Sequence, residues 1–352
     1  MTGNGSPAPL FPAAIRLNPG AEKAEQDMWH WLDEFGLCRS PEARANVRRS
    51  RVAYCIGLYY PSAPLEVLVL ITRFTGWSLL IDEEFDAGPA RDDPGACLSA
   101  VTALLAPFTP AAPHSPARRE PVGRGGHRAM ADAAAALWGQ LAPIRSPAWT
   151  ARFCAHLANW LWGFYGETVD RAVHRLPEPA EYHERRREMF GVPWYLDLCE
   201  VACAVDLPDA VHRLPAFRTL YSAVCDTTAL CNDRVSADRE RASGYLHNAV
   251  TILEHHRGWT PREAAAHVDR MIADGADLIT AARRDLPRQL DLAGLPRASA
   301  ADALRCADAY LDVVRGNHSY HRTSPRYTDL GSLPPGGCPA EGFARNAEGR
   351  PL

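Results

Sequence analysis

Leu230-Cys-Asn-Asp-Arg-Val-Ser-Ala-Asp-Arg-Glu240 is the stretch on which the reading of this chain turns. Taken as helix, it places Asn232, Ser236 and Glu240 at i, i+4 and i+8, on one face. An amide oxygen, a hydroxyl and a carboxylate in a row are hard oxygen ligands suited to one Mg²⁺. Arg239 borders that face, within reach of an anion held by the metal, whereas Asp233 and Arg234 point elsewhere and read as surface charge. A polar triad by itself is more often a solvated helix face. Here Leu220, Tyr221, Val224 and Leu230 make the preceding turns apolar. A polar face that continues a buried helix needs compensation, which a metal provides.

Working outward, a second oxygen-rich site lies upstream. The apolar run 74–81 leads into Asp82-Glu83-Glu84-Phe85-Asp86, and Gly88-Pro89 stops the helix. Four carboxylates in the last turns of a helix oppose its macrodipole and repel one another. A cation on Asp82, assisted by Glu83 or Asp86, removes both penalties. Asp82 shares a helix side with Ser78 and Phe74, while Asp86 is expected one turn nearer bulk water. Glu83 is rotated about 100° from Asp82.

Together the two sites resemble the paired metal motifs of class I terpene synthases, the bacterial and fungal terpene cyclases that work by ionising their substrate. Asp82-Glu-Glu-Phe-Asp86 is similar to the aspartate-rich motif, with Glu83 where a second Asp is usual. Asn232-Asp-x-x-Ser236-x-x-x-Glu240 matches the second motif, Arg239 preceding its Glu. Arg326-Tyr327 resembles the C-terminal pair that grips the diphosphate, and within Arg185-Arg186-Arg187 the usual offset selects Arg186 as the diphosphate-sensing arginine, with Arg187 as the alternative register. Four motifs in the family's order over about 245 residues are specific where any one would be weak.

The resemblance implies an all-α, single-domain helical bundle around a central cavity, spanning 18–327. It implies Mg²⁺, three ions in all, held by Asp82, Glu83 and Asp86 on one side and Asn232, Ser236 and Glu240 on the other. Arg186 or Arg187, Arg239, Arg326 and Tyr327 would bind diphosphate oxygens, with Asp82, Arg186, Arg326 and Tyr327 as the catalytic groups. Phe74, Ser78, Leu79, Phe190, Tyr195 and Tyr320 are the pocket candidates; Ser78 and Leu79 stand where aromatics are common, so an aromatic wall is not expected there. The activity implied is cyclisation of an isoprenyl diphosphate, farnesyl diphosphate first, to a sesquiterpene. A diterpene synthase using geranylgeranyl diphosphate, or a non-catalytic helical protein that binds diphosphate and Mg²⁺, are the alternatives.

The 352 residues carry a net charge of −4 without a basic block, which argues against nucleic acid as partner. The start has no signal-peptide pattern, and no apolar run approaches the ~20 residues of a membrane span. Ten cysteines lack C-x-x-C spacing and read as reduced thiols of a cytoplasmic protein. A homodimer is left open.

Helix-period stretches are read at 22–35, 65–85, 146–173, 181–189, 194–205, 214–243, 260–286 and 299–317, with another opened by the Ser40-Pro41 cap. Gly191 and Pro193 mark a break that brings Phe190 and backbone carbonyls to the site. The aromatics of 146–173 read mainly as core packing. Residues 1–20 are expected to be mobile, 21–330 to form the domain, 106–127 to be a surface loop and 331–352 a disordered tail. No strand-period stretch or repeat appears.

Overall fold

In the computed structural model, which describes residues 15–109 and 127–328, the stretch 230–240 lies within a 29-residue helix, Pro215–Ser243. Proline in its first turn and left-handed Gly244 (φ 75°) after its last residue set its ends. In chain order the helices before it are α1 (Ala21–Glu34), α2 (Pro41–Ser50), α3 (Val52–Tyr59), α4 (Leu65–Ala87) and α5 (Pro94–Leu105). There follow α6 (His127–Leu141), α7 (Pro147–Ala172), α8 (Pro179–Met189), α9 (Val192–Ala202) and the short α10 (Asp209–His212). The central helix is α11, succeeded by α12 (Ala249–Arg257), α13 (Pro261–Leu292), α14 (Arg297–Thr323) and the single turn α15 (Pro325–Thr328). No strand occurs among the described residues, so the all-α reading holds. No described helix is long and apolar enough to cross a membrane.

The main core runs through α1, α3, α4, α7, α9, α11 and α14, with Trp77, Trp149, Trp194 and Tyr310 among its largest fully buried side chains. A smaller apolar cluster, including Leu230, Val250, Ile252 and Val268, joins α11 to α12 and α13. Helix α14 lies against α3 and α11. Its Gly316 permits that approach, since a Cβ there would stand 2.7 Å from the Leu58 carbonyl carbon and oxygen.

Two helices run past their expected ends. Helix α13 continues through Pro287 to Leu292. Pro287 is on the exposed side, where water can bond the carbonyl that it leaves free, and buried Leu286 and Leu290 hold the turns around it. Helix α14 reaches Thr323 because Tyr320 and His321 are buried. It stops where Ser324, extended at ψ 131°, precedes Pro325.

Within the segment 1–20, expected to be mobile, residues 15–20 are described and pack on the bundle. Asn18 is buried, its amide donating to the Tyr60 and Ala63 carbonyls at 2.9 Å each, while Arg16 reaches Asp312 at 3.2 Å. Residues 1–14, most of the expected loop (110–126) and the tail lie outside the described residues.

Candidate active site

Helices α4 and α11 face each other across a cavity of about 200 Å³, closed by α7, α9, α14 and α15. From α4 come Thr75, Ser78, Leu79, Asp82 and Asp86, a set spaced by three, four, seven and eleven residues that keeps one helix face. Phe74 does not join them, which corrects its place among the pocket residues. Eight residues before Asp82, it is rotated by about 80° on the helix wheel. It packs in the core against Trp77 and Phe153 at ring-centroid distances of 6.3 and 5.9 Å.

Desolvation dominates the acidic helix end. Asp82 is pushed up to about 6 by burial, with Arg326 opposing and Glu83 reinforcing the shift. Asp86, expected nearer bulk water, is half-buried, and burial followed by repulsion from Asp82, Glu83, Glu167 and Glu240 raises it well above the usual range. Burial likewise raises Glu240 across the cavity. These carboxylates share one strain: negative charge crowded out of water. A divalent cation is the group that relieves it, and their oxygen donors suit Mg²⁺. Among the described residues no three Asp, Glu, His or Cys side chains converge into a closed cation site. The donors sit instead on opposing walls, an arrangement that fits ions shared with a bound polyanion.

Glu83 turns away from this group. Its buried carboxylate accepts from Arg326 Nη1 at 2.8 Å, and the same nitrogen reaches Ser50 Oγ at 2.9 Å. Glu83 therefore ties the acidic helix to α15 and does not line the cavity alongside Asp82. Ser236 is likewise buried, its hydroxyl donating to the Asn232 carbonyl at 2.8 Å.

On α11, Asn232 is held from three sides. Its Oδ1 accepts from Arg186 Nη2 at 3.1 Å, and its amide nitrogen meets His321 Nε2 at 2.9 Å and Tyr327 Oη at 3.1 Å. His321 Nδ1 lies 2.8 Å from the Asn317 carbonyl and must donate there, so Nε2 accepts from Asn232. Burial lowers His321 to about 4, which keeps the ring neutral, and the Asn317 carbonyl selects this tautomer. Arg239 lies over the Tyr327 ring at 5.2 Å and donates to the Arg326 carbonyl at 3.3 Å.

The reading of Asp233 as surface charge is wrong. It is fully buried, and its carboxylate accepts from Arg186 at 2.8 and 3.1 Å, from Tyr182 Oη at 2.8 Å and from the Ala249 backbone N–H at 3.1 Å. Arg186 lines the cavity with its guanidinium 4.7 Å above the Phe190 ring. Arg187 does not line it, forming a two-pronged pair with Asp226 at 2.7 Å on each arm. The α8–α9 break turns on Gly191, whose φ of 86° favours glycine and whose Cβ would stand 3.0 Å from Trp194 Nε1. It sets Phe190 and Tyr195 at the cavity.

Aromatic lining comes mostly from helices other than α4. Trp160 and Phe164 of α7, with Trp194 and Tyr195 of α9, form the wall that Ser78 and Leu79 leave open. Tyr320 also lines the cavity, its hydroxyl bonded to the Ser50 carbonyl. Sequence reasoning passed over His321, Asn317, Glu167 and Tyr245. The first two stand four residues apart ahead of Arg326-Tyr327, a spacing that could have flagged them. Glu167 had no local signal; it is found because Tyr245 Oη donates to both its oxygens at 2.8 Å.

An all-α bundle with two facing oxygen-donor helices, arginines at the mouth and an aromatic interior defines a terpenoid synthase. Residues 73–277 match the family described as terpene synthase family 2, C-terminal metal binding. The chain is 30% identical over 323 residues to pristinol synthase of Streptomyces pristinaespiralis, covering 91% of this chain and 84% of that one. It is 29% identical over 319 residues to pentalenene synthase of Streptomyces avermitilis, covering 90% and 91%. The solved structure of hedycaryol synthase in complex with HEPES matches with a TM-score of 0.75 at 26% identity, over 89% of this chain and 97% of that one. The chain belongs to terpene synthase family 2 and is a terpene cyclase with a metal-binding C-terminal part.

Proposed function

We propose that this cyclase ionises farnesyl diphosphate and closes the resulting cation to a sesquiterpene, releasing diphosphate. The observation that carries the reading is the pairing of Asp82 and Asp86 with Asn232 and Glu240 across a cavity also lined by Arg186, Arg326 and Tyr327. Three Mg²⁺ ions, bound with the substrate, would supply the Lewis-acid charge that neutralises the leaving diphosphate. Asp82 and Asp86 would hold them from one wall, Asn232 and Glu240 from the other, and Ser236 after its hydroxyl turns from the Asn232 carbonyl.

Arg186, Arg239 and Arg326 place fixed positive charge where the leaving group gains negative charge, the electrostatic contribution that usually dominates. Tyr327 adds a hydroxyl donor. Trp160, Phe164, Trp194 and Tyr195 would surround the reacting chain with ring faces, which favour a cation and keep water from it. The relatives include pristinol, pentalenene and hedycaryol synthases, which supports the C15 substrate. The described cysteines are not joined in disulfides, which supports action in the reducing cytoplasm.

The test is incubation with geranyl, farnesyl and geranylgeranyl diphosphates, each with Mg²⁺, followed by gas chromatography–mass spectrometry. A cyclic C15 product from farnesyl diphosphate is expected, and none in EDTA. A C20 product in excess would replace this reading with the diterpene alternative.

A further inference from the structure

Behind Arg186, on the side away from the catalytic cavity, α8, α11, α12 and α13 enclose a second recess of about 440 Å³. That volume falls within the roughly 300–1,000 Å³ of small-molecule sites. Its walls are Leu230, Ile252, Leu253, Trp259, Met271 and Ala229, with hardly any polar surface between them. A concave, largely apolar recess with a few polar groups at its rim is the usual form of a small-molecule site.

The recess also carries a charge preference. Arg186 is neutralised by Asp233, and Arg187 and His183 share Asp226 at 2.7 and 3.4 Å. Arg257, exposed at the end of α12, has no carboxylate partner among the described residues. Glu254, one turn back on the same helix, pairs with Arg241, and Glu178 is taken by His256 at 3.3 Å. One uncompensated cation therefore stands beside an apolar pocket.

We propose that this recess binds a monoanionic amphiphile, a hydrocarbon body seated among Leu230, Ile252, Leu253 and Met271 with its carboxylate on Arg257. Nothing in the assignment of the cyclase depends on it, and binding is read without turnover, so the two stand or fall separately.

Sodium dodecanoate is the probe, titrated by calorimetry into the full chain without metal or diphosphate, with dodecanol as its uncharged counterpart. One saturable site per chain is expected, with dodecanoate preferred. Leu253→Trp, which fills the recess and leaves the catalytic residues in place, should weaken binding roughly tenfold or more. Arg257→Ala, at an exposed position that the fold tolerates, should weaken dodecanoate about tenfold, the scale of one charge-assisted contact, and leave dodecanol unchanged. Circular dichroism checks the fold of both variants; should Leu253→Trp fail to fold, the Arg257→Ala comparison decides alone. No saturable binding would overturn the proposal. So would dodecanoate binding untouched by either substitution, which would put the molecule in the catalytic cavity, or equal affinity for dodecanol, which would leave the recess merely apolar. A chain that binds neither probe but forms a dimer lost in Leu253→Trp would have the recess covered by a second copy, and that too would overturn it.

Discussion

Replacing Asp233 by Asn should damage this protein more than any substitution on its surface. The carboxylate is fully buried and is the counter-ion of Arg186, to which it is bonded at 2.8 and 3.1 Å, while also accepting from Tyr182 and the Ala249 backbone. Burial pushes Asp233 upward even beside that arginine, so the intact pair is near break-even against an apolar replacement. Removing only one partner is different, because the other charge stays buried without compensation, at a cost of about 3–5 kcal/mol. With an unfolding entropy of ~2.1 cal/mol/K per residue over roughly 300 ordered residues, that corresponds to a fall in Tm of about 5–8 °C. Urea denaturation and calorimetry on Asp233→Asn, Arg186→Met and the double variant form the assay. The double variant should recover at least half of the loss, since no charge remains unpaired. Losses below about 1 kcal/mol for Asp233→Asn, or singles that simply add, would refute the reasoning. Inorganic diphosphate with Mg²⁺ should raise the Tm of Asp233→Asn more than that of the wild type, because the anion supplies Arg186 with the missing charge.

Asp82→Asn should lose about a hundredfold or more in turnover, the scale for a transition-state stabiliser, and Asp86→Asn less, both read by steady-state kinetics on farnesyl diphosphate. Glu84 is raised from 4.5 to about 8 by burial alone, so its contribution to stability is complete below 4.5 and lost as pH climbs through about 8. Glu84→Gln, scanned in EDTA from pH 5 to 9, should therefore show a flatter Tm profile than the wild type; a parallel profile would mean that Glu84 ionises freely. Gly316→Ala drives a methyl into the Leu58 backbone and should cost about 1–3 kcal/mol, measured by denaturant midpoint.

Both oxygen-donor clusters were legible because spacing along one helix survives folding. Asn232, Ser236 and Glu240, or Asp82 and Asp86, keep a face by helical geometry alone. What misled was any inference about which way a residue between two faces would turn. Asp233 follows Asn232 by one position, which is 100° of rotation, and in isolation that direction looks like solvent. Helix α8 occupies it, and a helix 47 residues upstream leaves no periodic trace in 230–240. Phe74 stands to Asp82 as Asn232 does to Glu240, at the edge of a face where neighbouring helices decide the outcome, and Trp77 and Phe153 take it into the core. Glu167, His321 and Asn317 act through partners on other elements, and only the assembled bundle brings those partners within hydrogen-bond reach.

These cross-element bonds make one connected scaffold of the two motifs. Glu83 holds Arg326, Arg326 offers its carbonyl to Arg239, Tyr327 bonds Asn232, and Asn232 meets Arg186, which rests on Asp233. Three arginines and a tyrosine that line the cavity are thus each held by protein groups on other elements. Preorganisation of this kind is where electrostatic catalysis draws its strength, because the donors need no reordering as charge develops on the leaving group. It also explains why the carboxylates divide as they do. Glu83 and Asp233, each paired to an arginine, serve as supports; Asp82, Asp86 and Glu240, raised by burial, remain the oxygens with most to gain from a cation.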